Sequence, residues 1–319
     1  DLVAGQPRRI RVEYADRRAY ASIQLVWSVP APDRLAEAVA AAARADAVVM
    51  VLGLSPRLEG EELPVRVPGF DRGDRTDLDL PAEQDALLRA VVATGRPVVL
   101  VLLNGGALAV GWAAEHVPAI VEAWYPGQAA GEALADVLFG DANPGGRLPV
   151  TFYRSVDQLP PFTDYGMEGR TYRYFRGEVL FPFGHGLSYT RFRYRDLRVA
   201  GGASDAAVRA GDSLAVSVEV ENAGAVEGDE VVQVYVSALD APAVAPVRWL
   251  AGFERIALRP GERRRVTFTL APRALSLVDG AGERAVAPGT YDVSVGGKQP
   301  GFRGPADAAT TEVLTTRLR

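Results

Sequence analysis

The 319-residue sequence contains no cysteine, which excludes a disulfide scaffold, a cysteine-ligated zinc site and thiol catalysis together. Its two histidines, His116 and His185, have no histidine neighbour in sequence, so a histidine-rich metal site is not expected. Lysine is almost missing: Lys298 stands alone, and the rest of the 35 basic residues are arginine, which reads as coding bias rather than function. No basic block offsets the net charge of −5, which argues against nucleic acid as a partner, because phosphate recognition needs a basic stripe. Apolar runs such as Ala47 to Leu54 fall far short of the roughly 20 residues that span a bilayer, so no membrane partner is expected. A phosphate-binding glycine loop and a dinucleotide fingerprint are absent, and no cofactor is implied. The first α/β turn, Gly53-Leu54-Ser55-Pro56, carries a proline where an anion nest would need a donor. Ser55 also lacks the second glycine of a nucleophile elbow, since Arg57 stands there, and reads as a turn serine.

What is present is an ordinary globular composition, 48% hydrophobic and 24% charged, at a length suited to about two domains. The chain opens on Asp1 rather than Met and reads as a processed or excised piece. Residues 1–30 alternate as strands do, with Ile10, Val12 and Tyr14 on one face and Ile23, Leu25 and Trp27 on another. Two short strands cannot fold alone, so they read as the end of a β-domain. Residues 31–191 begin with helical segments at 35–45, 81–93 and 128–139, interleaved with apolar runs at 47–52, 98–103 and 119–123. That pattern predicts an α/β/α layered domain whose parallel sheet is covered on both faces. From 153 to 191 the chain turns aromatic and glycine-rich without periodicity, as a segment wrapping a neighbouring surface would. Residues 192–319 read as all-β. Val216, Val218 and Val220, then Val232, Val234 and Val236, then Val266, Phe268 and Leu270, and finally Tyr291, Val293 and Val295 alternate with polar residues. About seven such strands predict an immunoglobulin-like sandwich, with 300–319 as a polar tail. The fold class is therefore α/β plus all-β.

The chemically informative stretch is the loop from Ser55 to Leu80, which leaves the carboxyl end of the first parallel strand, where open α/β sheets place ligands. It holds Glu59, Glu61 and Glu62, then Asp71, Asp74, Arg75 and Asp77. Crowded glutamates can keep one carboxyl protonated, as a general acid requires, but the charge pattern alone favours a solvated acidic loop. His116 reads as a satisfied, partly buried side chain on the way into a strand, and His185 as a packing residue, with a ligand or a neighbouring domain as what it would otherwise face. Trp124, Tyr125 and Tyr174 read as core aromatics, with stacking on sugar rings as the other reading.

Several long motifs then become recognisable. Glu122 to Gly127 (EAWYPG), Ala135 to Asp141 (ADVLFGD), Asn143 to Pro149 (NPGGRLP), Tyr172 to Phe175 (YRYF) and Phe181 to Thr190 (FPFGHGLSYT) resemble glycoside hydrolase family 3. Leu250 to Arg255 and Pro260 to Glu262 resemble the fibronectin type III-like domain of that family, over 192–319. Residues 1–30 resemble the end of the carbohydrate-binding β-domain that some members insert. The resemblance implies an exo-acting, retaining hydrolase of β-linked glycosides, β-glucosides first and β-xylosides next, needing a nucleophile and an acid/base carboxyl. It places the nucleophilic aspartate in an N-terminal (β/α)8 barrel, in a Ser-Asp-aromatic motif that does not occur here. The barrel portion and the glycoside are thus the implied partners, and this chain by itself is expected to be inactive. The acid/base is implied by an E-x-E-G-x-D-R arrangement, which assigns it to Glu61 and leaves bracing to Asp74 and Arg75. Glu62 replaces the glycine, and Leu63 to Gly73 are inserted, so Glu59 and Glu62 stay as alternatives. A non-catalytic carbohydrate-binding or scaffolding module of the same fold is the second reading.

Overall fold

A computed structural model describes residues 6–7, 9–15, 23, 33–200, 211–242, 245–302 and 313–319. Residues 9–15 enter no strand, and Ile10, Val12 and Tyr14 are exposed. Leu25 and Trp27, the other half of the expected strand pattern, lie outside the described residues.

The α/β part begins with helix α1 (Arg34–Ala43), started by Asp33, whose side chain accepts the Ala36 N–H at 3.1 Å. Strand β1 (Val48–Gly53) leads into a long loop holding two-residue strands β2 (Phe70–Asp71) and β3 (Asp74–Arg75). Helix α2 (Ala82–Val92) follows Pro81, then β4 (Val98–Leu103), α3 (Gly111–His116), β5 (Ala119–Glu122) and α4 (Ala130–Phe139). The sheet is parallel, in the order β1-β4-β5, with Met50 beside Leu100 and Val51 beside Val101. Met50, Leu100 and Leu102 pack with Ala42 of α1, Leu88 and Val91 of α2 and Ala113 of α3 in one core.

The opposite face is more open than the apolar runs predict: Val49 and Val51 are each 52% exposed, and α4 buries no residue. Strand order explains the asymmetry. The sheet advances in one direction, so right-handed crossovers put α2 and α3 on the same side.

Residues 153–191 hold one 3-10 turn and the single helical turn α5 (Thr171–Tyr174) and are otherwise irregular, as expected. Their aromatics link the two parts. Phe181 meets Phe152 of the α/β core edge-on, and Tyr172 and Phe183 stack at 4.1 Å against Tyr235 of the β-sandwich.

The sandwich comprises β6 (Phe192–Ala200), β7 (Leu214–Asn222), β8 (Gly228–Ala238), β9 (Trp249–Leu258) and β10 (Arg263–Leu270). After the turn α6 (Pro272–Leu275) come the small hairpin β11 (Leu277–Val278) and β12 (Arg284–Ala285), β13 (Tyr291–Gly296) and β14 (Val313–Leu318). Sheets β10-β7-β6 and β14-β13-β8-β9 face each other across a core of Val216, Val218, Val220, Val234, Val293 and Val295. Residues 313–318 correct the expected tail: they pair antiparallel with β13 and bury Leu318. Thr315, Thr316 and Arg317 break the apolar pattern there, and the order comes from the ladder with β13.

The two parts are joined by polar contacts. Asn143 accepts from the Ser188 hydroxyl at 2.9 Å and the Tyr189 N–H at 2.8 Å, and donates to the Glu227 carbonyl at 2.9 Å. Arg147 donates to Glu230 at 3.1 Å, with side chains 5% and 0% exposed. His185 is buried beside this pair and stacks on Phe181, in keeping with the packing role. Burial, then the charges of Lys298 and Arg147, hold its pKa down at about 4.

Candidate active site

Three loops leave the carboxyl ends of β1, β4 and β5 and meet at one edge of the sheet. The first starts as a plain turn, the Ser55 carbonyl accepting the Leu58 and Glu59 N–H groups at 2.9 Å each, which fits Ser55 as a turn residue. The insertion at 63–73 then loops out and returns. Gly60 donates to the Gly73 carbonyl at 3.2 Å, and β2 pairs with β3 beyond it. Gly73 has φ 89°, and a Cβ there would lie 1.8 Å from the Gly60 carbonyl oxygen, so only glycine allows the closure. Residues far apart in sequence are thereby reunited, with Asp74 and Arg75 set beside the Glu59-Gly60 turn.

The three glutamates diverge. Glu59 turns inward, accepting the Tyr125 hydroxyl at 2.7 Å and facing the half-buried Arg75. Arg75 donates to the Ala107 carbonyl at 2.8 Å, as a brace would. Burial lowers its pKa, opposed by the nearby Glu59. Glu62 lies in left-handed backbone at φ 56° and is ion-paired with Arg72, itself at φ 53°. Glu61 is exposed and has neither a hydrogen bond nor an ion pair with any described residue. The crowding expected from sequence is thus relieved by geometry, each carboxylate having its own direction.

The second loop supplies Asn104, fully buried, which donates to the Gly106 carbonyl at 2.8 Å and to Glu122 at 3.3 Å. A Cβ on Gly105 would meet the Tyr125 ring at 2.9 Å and the Glu59 carboxylate at 3.1 Å, so the absent side chain lets the third loop close over the second. Glu122 ends β5 and also accepts the Trp124 N–H at 3.1 Å, where Trp124 takes φ 56°. Burial raises the Glu122 carboxyl to about 7 despite these two hydrogen bonds. Sequence reasoning missed Glu122 and Asn104 as site residues. The usable signal was a polar residue at the carboxyl end of the second and third apolar runs.

Of the other candidates, His116 corrects its expectation. It is exposed in the last turn of α3, stacked on Trp112 at 4.4 Å, because the short helix ends before β5 begins. Trp124 packs edge-on to Phe152 at the core, while Tyr125 serves Glu59. Tyr174 lies beneath the Arg173 guanidinium.

Comparison with known proteins agrees with this architecture. The family model described as glycosyl hydrolase family 3 C-terminal domain matches residues 8–189, and that of the fibronectin type III-like domain matches 230–299. The chain is 43% identical over 250 residues to a xylan 1,4-beta-xylosidase of Xylanibacter ruminicola, covering 78% of this chain and 28% of that protein. It is 39% identical over 272 residues to a periplasmic beta-glucosidase of Salmonella typhimurium, covering 82% and 34%. Among solved structures, a β-glucosidase from Erythrobacter marinus superposes with a TM-score of 0.72 at 38% identity, covering 89% of this chain and 36% of that one. The chain therefore spans about a third of the length of these proteins. With the motifs, the layered architecture and the matched domains in agreement, the chain belongs to the glycosyl hydrolase family 3 C-terminal domain family, with a fibronectin type III-like domain behind it.

Proposed function

We propose that this chain supplies the general acid/base, Glu61, to a retaining, exo-acting β-glycosidase whose nucleophilic aspartate lies in an N-terminal (β/α)8 barrel. β-Glucosides are the first substrate class and β-xylosides the second. One observation carries the choice of Glu61: its neighbours Glu59 and Glu62 are committed to Tyr125 and Arg72, while Glu61 is presented outward at the carboxyl edge of the sheet. In the proposed reaction Glu61 protonates the glycosidic oxygen as the aspartate attacks the anomeric carbon, then takes a proton from the water that releases the sugar. A proton-donating carboxyl is favoured by exclusion of water and by a nearby carboxylate, both of which the facing barrel would bring. The open sheet face at Val49 and Val51 suits further protein packed against it, since parallel sheets are covered on both sides.

The test is a leaving-group series of aryl β-glucosides on the chain joined to a barrel portion. Glu61→Gln is expected to slow poor leaving groups by roughly a hundredfold or more and good ones far less. Equal rates for both classes, or the same pattern from Glu59→Gln, would remove Glu61 from the role. The 319-residue chain alone is expected not to turn over p-nitrophenyl β-glucoside.

A further inference from the structure

A second site stands apart from the glutamate loop in sequence and does not depend on the role of Glu61. A cavity of about 390 Å³ lies where the segment after α5 meets the β8–β9 connection, lined by Arg176, Leu239, Pro242, Pro246, Val247 and Arg248 among others. Two arginines from different parts of the chain thus line one cavity. Arg248 is half-buried and donates to the Tyr172 carbonyl at 3.1 Å, and Arg176 is exposed at the rim. Neither makes an ion pair with a described residue. The nearest acidic residues in sequence are engaged elsewhere: Asp240 accepts the Thr290 N–H at 2.7 Å, and Glu178 pairs with Arg154 at 3.8 Å.

Two like charges lining one cavity, one of them half-buried, is a costly arrangement without a counter-charge. Burial lowers the Arg248 pKa, opposed by the nearby Tyr235, and the charge of Arg176 acts in the same direction as burial. The walls are also pre-set. The Val247 N–H donates to the Arg173 carbonyl at 2.7 Å, and the Leu250 N–H donates to the Tyr172 hydroxyl at 3.1 Å. Little ordering would be needed on binding. Guanidinium groups match carboxylate and phosphate oxygens in geometry as well as charge.

We propose that this cavity binds a small ligand bearing an oxyanion, a sugar carboxylate or a phosphate, between Arg176 and Arg248. Titration calorimetry of the chain with glucuronate, inorganic phosphate and neutral glucose tests it. Saturable binding of at least one anion, weakened by added salt and not shared by glucose, is expected. Preference for glucuronate identifies a sugar acid, and preference for phosphate identifies a phosphate. Arg176→Ala and Arg248→Ala should each weaken that binding about tenfold, as loss of one charge-assisted hydrogen bond does. Because Arg248 also holds the Tyr172 carbonyl, the exposed Arg176→Ala keeps the test valid if Arg248→Ala fails to fold. Equal binding of glucose and glucuronate, absence of binding by both anions, or binding unchanged in Arg176→Ala would overturn the proposal.

Discussion

The β-sandwich and the α/β layer use the same residue, valine, with different results. In β7, valines alternate with Ser217, Glu219 and Glu221, and Val216, Val218 and Val220 are fully buried. In β1 the run is unbroken, yet Val49 and Val51 remain half exposed. Alternation states which face is wet, and the second sheet of the sandwich lies within the same chain to cover the dry one. An unbroken run calls for cover on both faces, and β1-β4-β5 receives its helices mainly on one. A strand's own pattern thus describes the surroundings it needs, and strand order decides which of them it finds.

The contrast can be broken most severely at the joint. Arg147→Ala would leave Glu230 buried with its countercharge gone, an expected loss of about 3–5 kcal/mol. Urea unfolding followed by tryptophan fluorescence checks this. A cost below 1 kcal/mol would mean the domains do not depend on the pair.

The joint and the α/β sheet edge should also respond oppositely to pH. His185 is depressed to about 4 from an ordinary 6.5, so its contribution is present above pH 6.5 and is lost as pH falls through 4. Glu122 is raised to about 7 from 4.5, so its contribution is full below pH 4.5 and is lost as pH rises through 7. His185→Gln should flatten the acid limb, worth up to about 3 kcal/mol, and Glu122→Gln the limb between pH 4.5 and about 7, worth about 1–2 kcal/mol after solvent screening. Thermal melts across pH 4–8 report both, and limbs unchanged in the variants would disprove the assignments.

A direct comparison of the two valine environments comes next in size. Val234→Ala should cost about 2 kcal/mol, through lost burial and a cavity, and Val51→Ala well under 1 kcal/mol. Equal costs would show that the β1 face is covered in solution. A smaller effect than at Val234 is expected at the site edge, where Tyr125→Phe removes the hydrogen bond to Glu59 for about 1 kcal/mol. It should also raise amide exchange in residues 59–62; unchanged exchange would mean Tyr125 does not hold the loop.

Much of this was legible before any coordinates. The run at 98–103 became β4 residue for residue, and the helices at 34–43, 82–92 and 130–139 match the predicted ones to within a few residues, because apolar period and burial coincide there. The short helix α3 was not legible: six residues carry less than two turns of pattern. Strand β14 was hidden because an edge strand takes its order from a neighbour.

The site divides along the same line. Sequence alone determined the family motifs, the presence of three glutamates on the loop after the first parallel strand, and the lack of cysteine and of clustered histidines in these 319 residues. Only the tertiary structure decided which glutamate is committed to what, because Tyr125 lies 66 residues from Glu59 and reaches it only when the loops of β1 and β5 meet. It alone decided that the 63–73 insertion closes on itself through Gly73, and that Glu122 titrates high, since both follow from contacts and burial that no local pattern encodes.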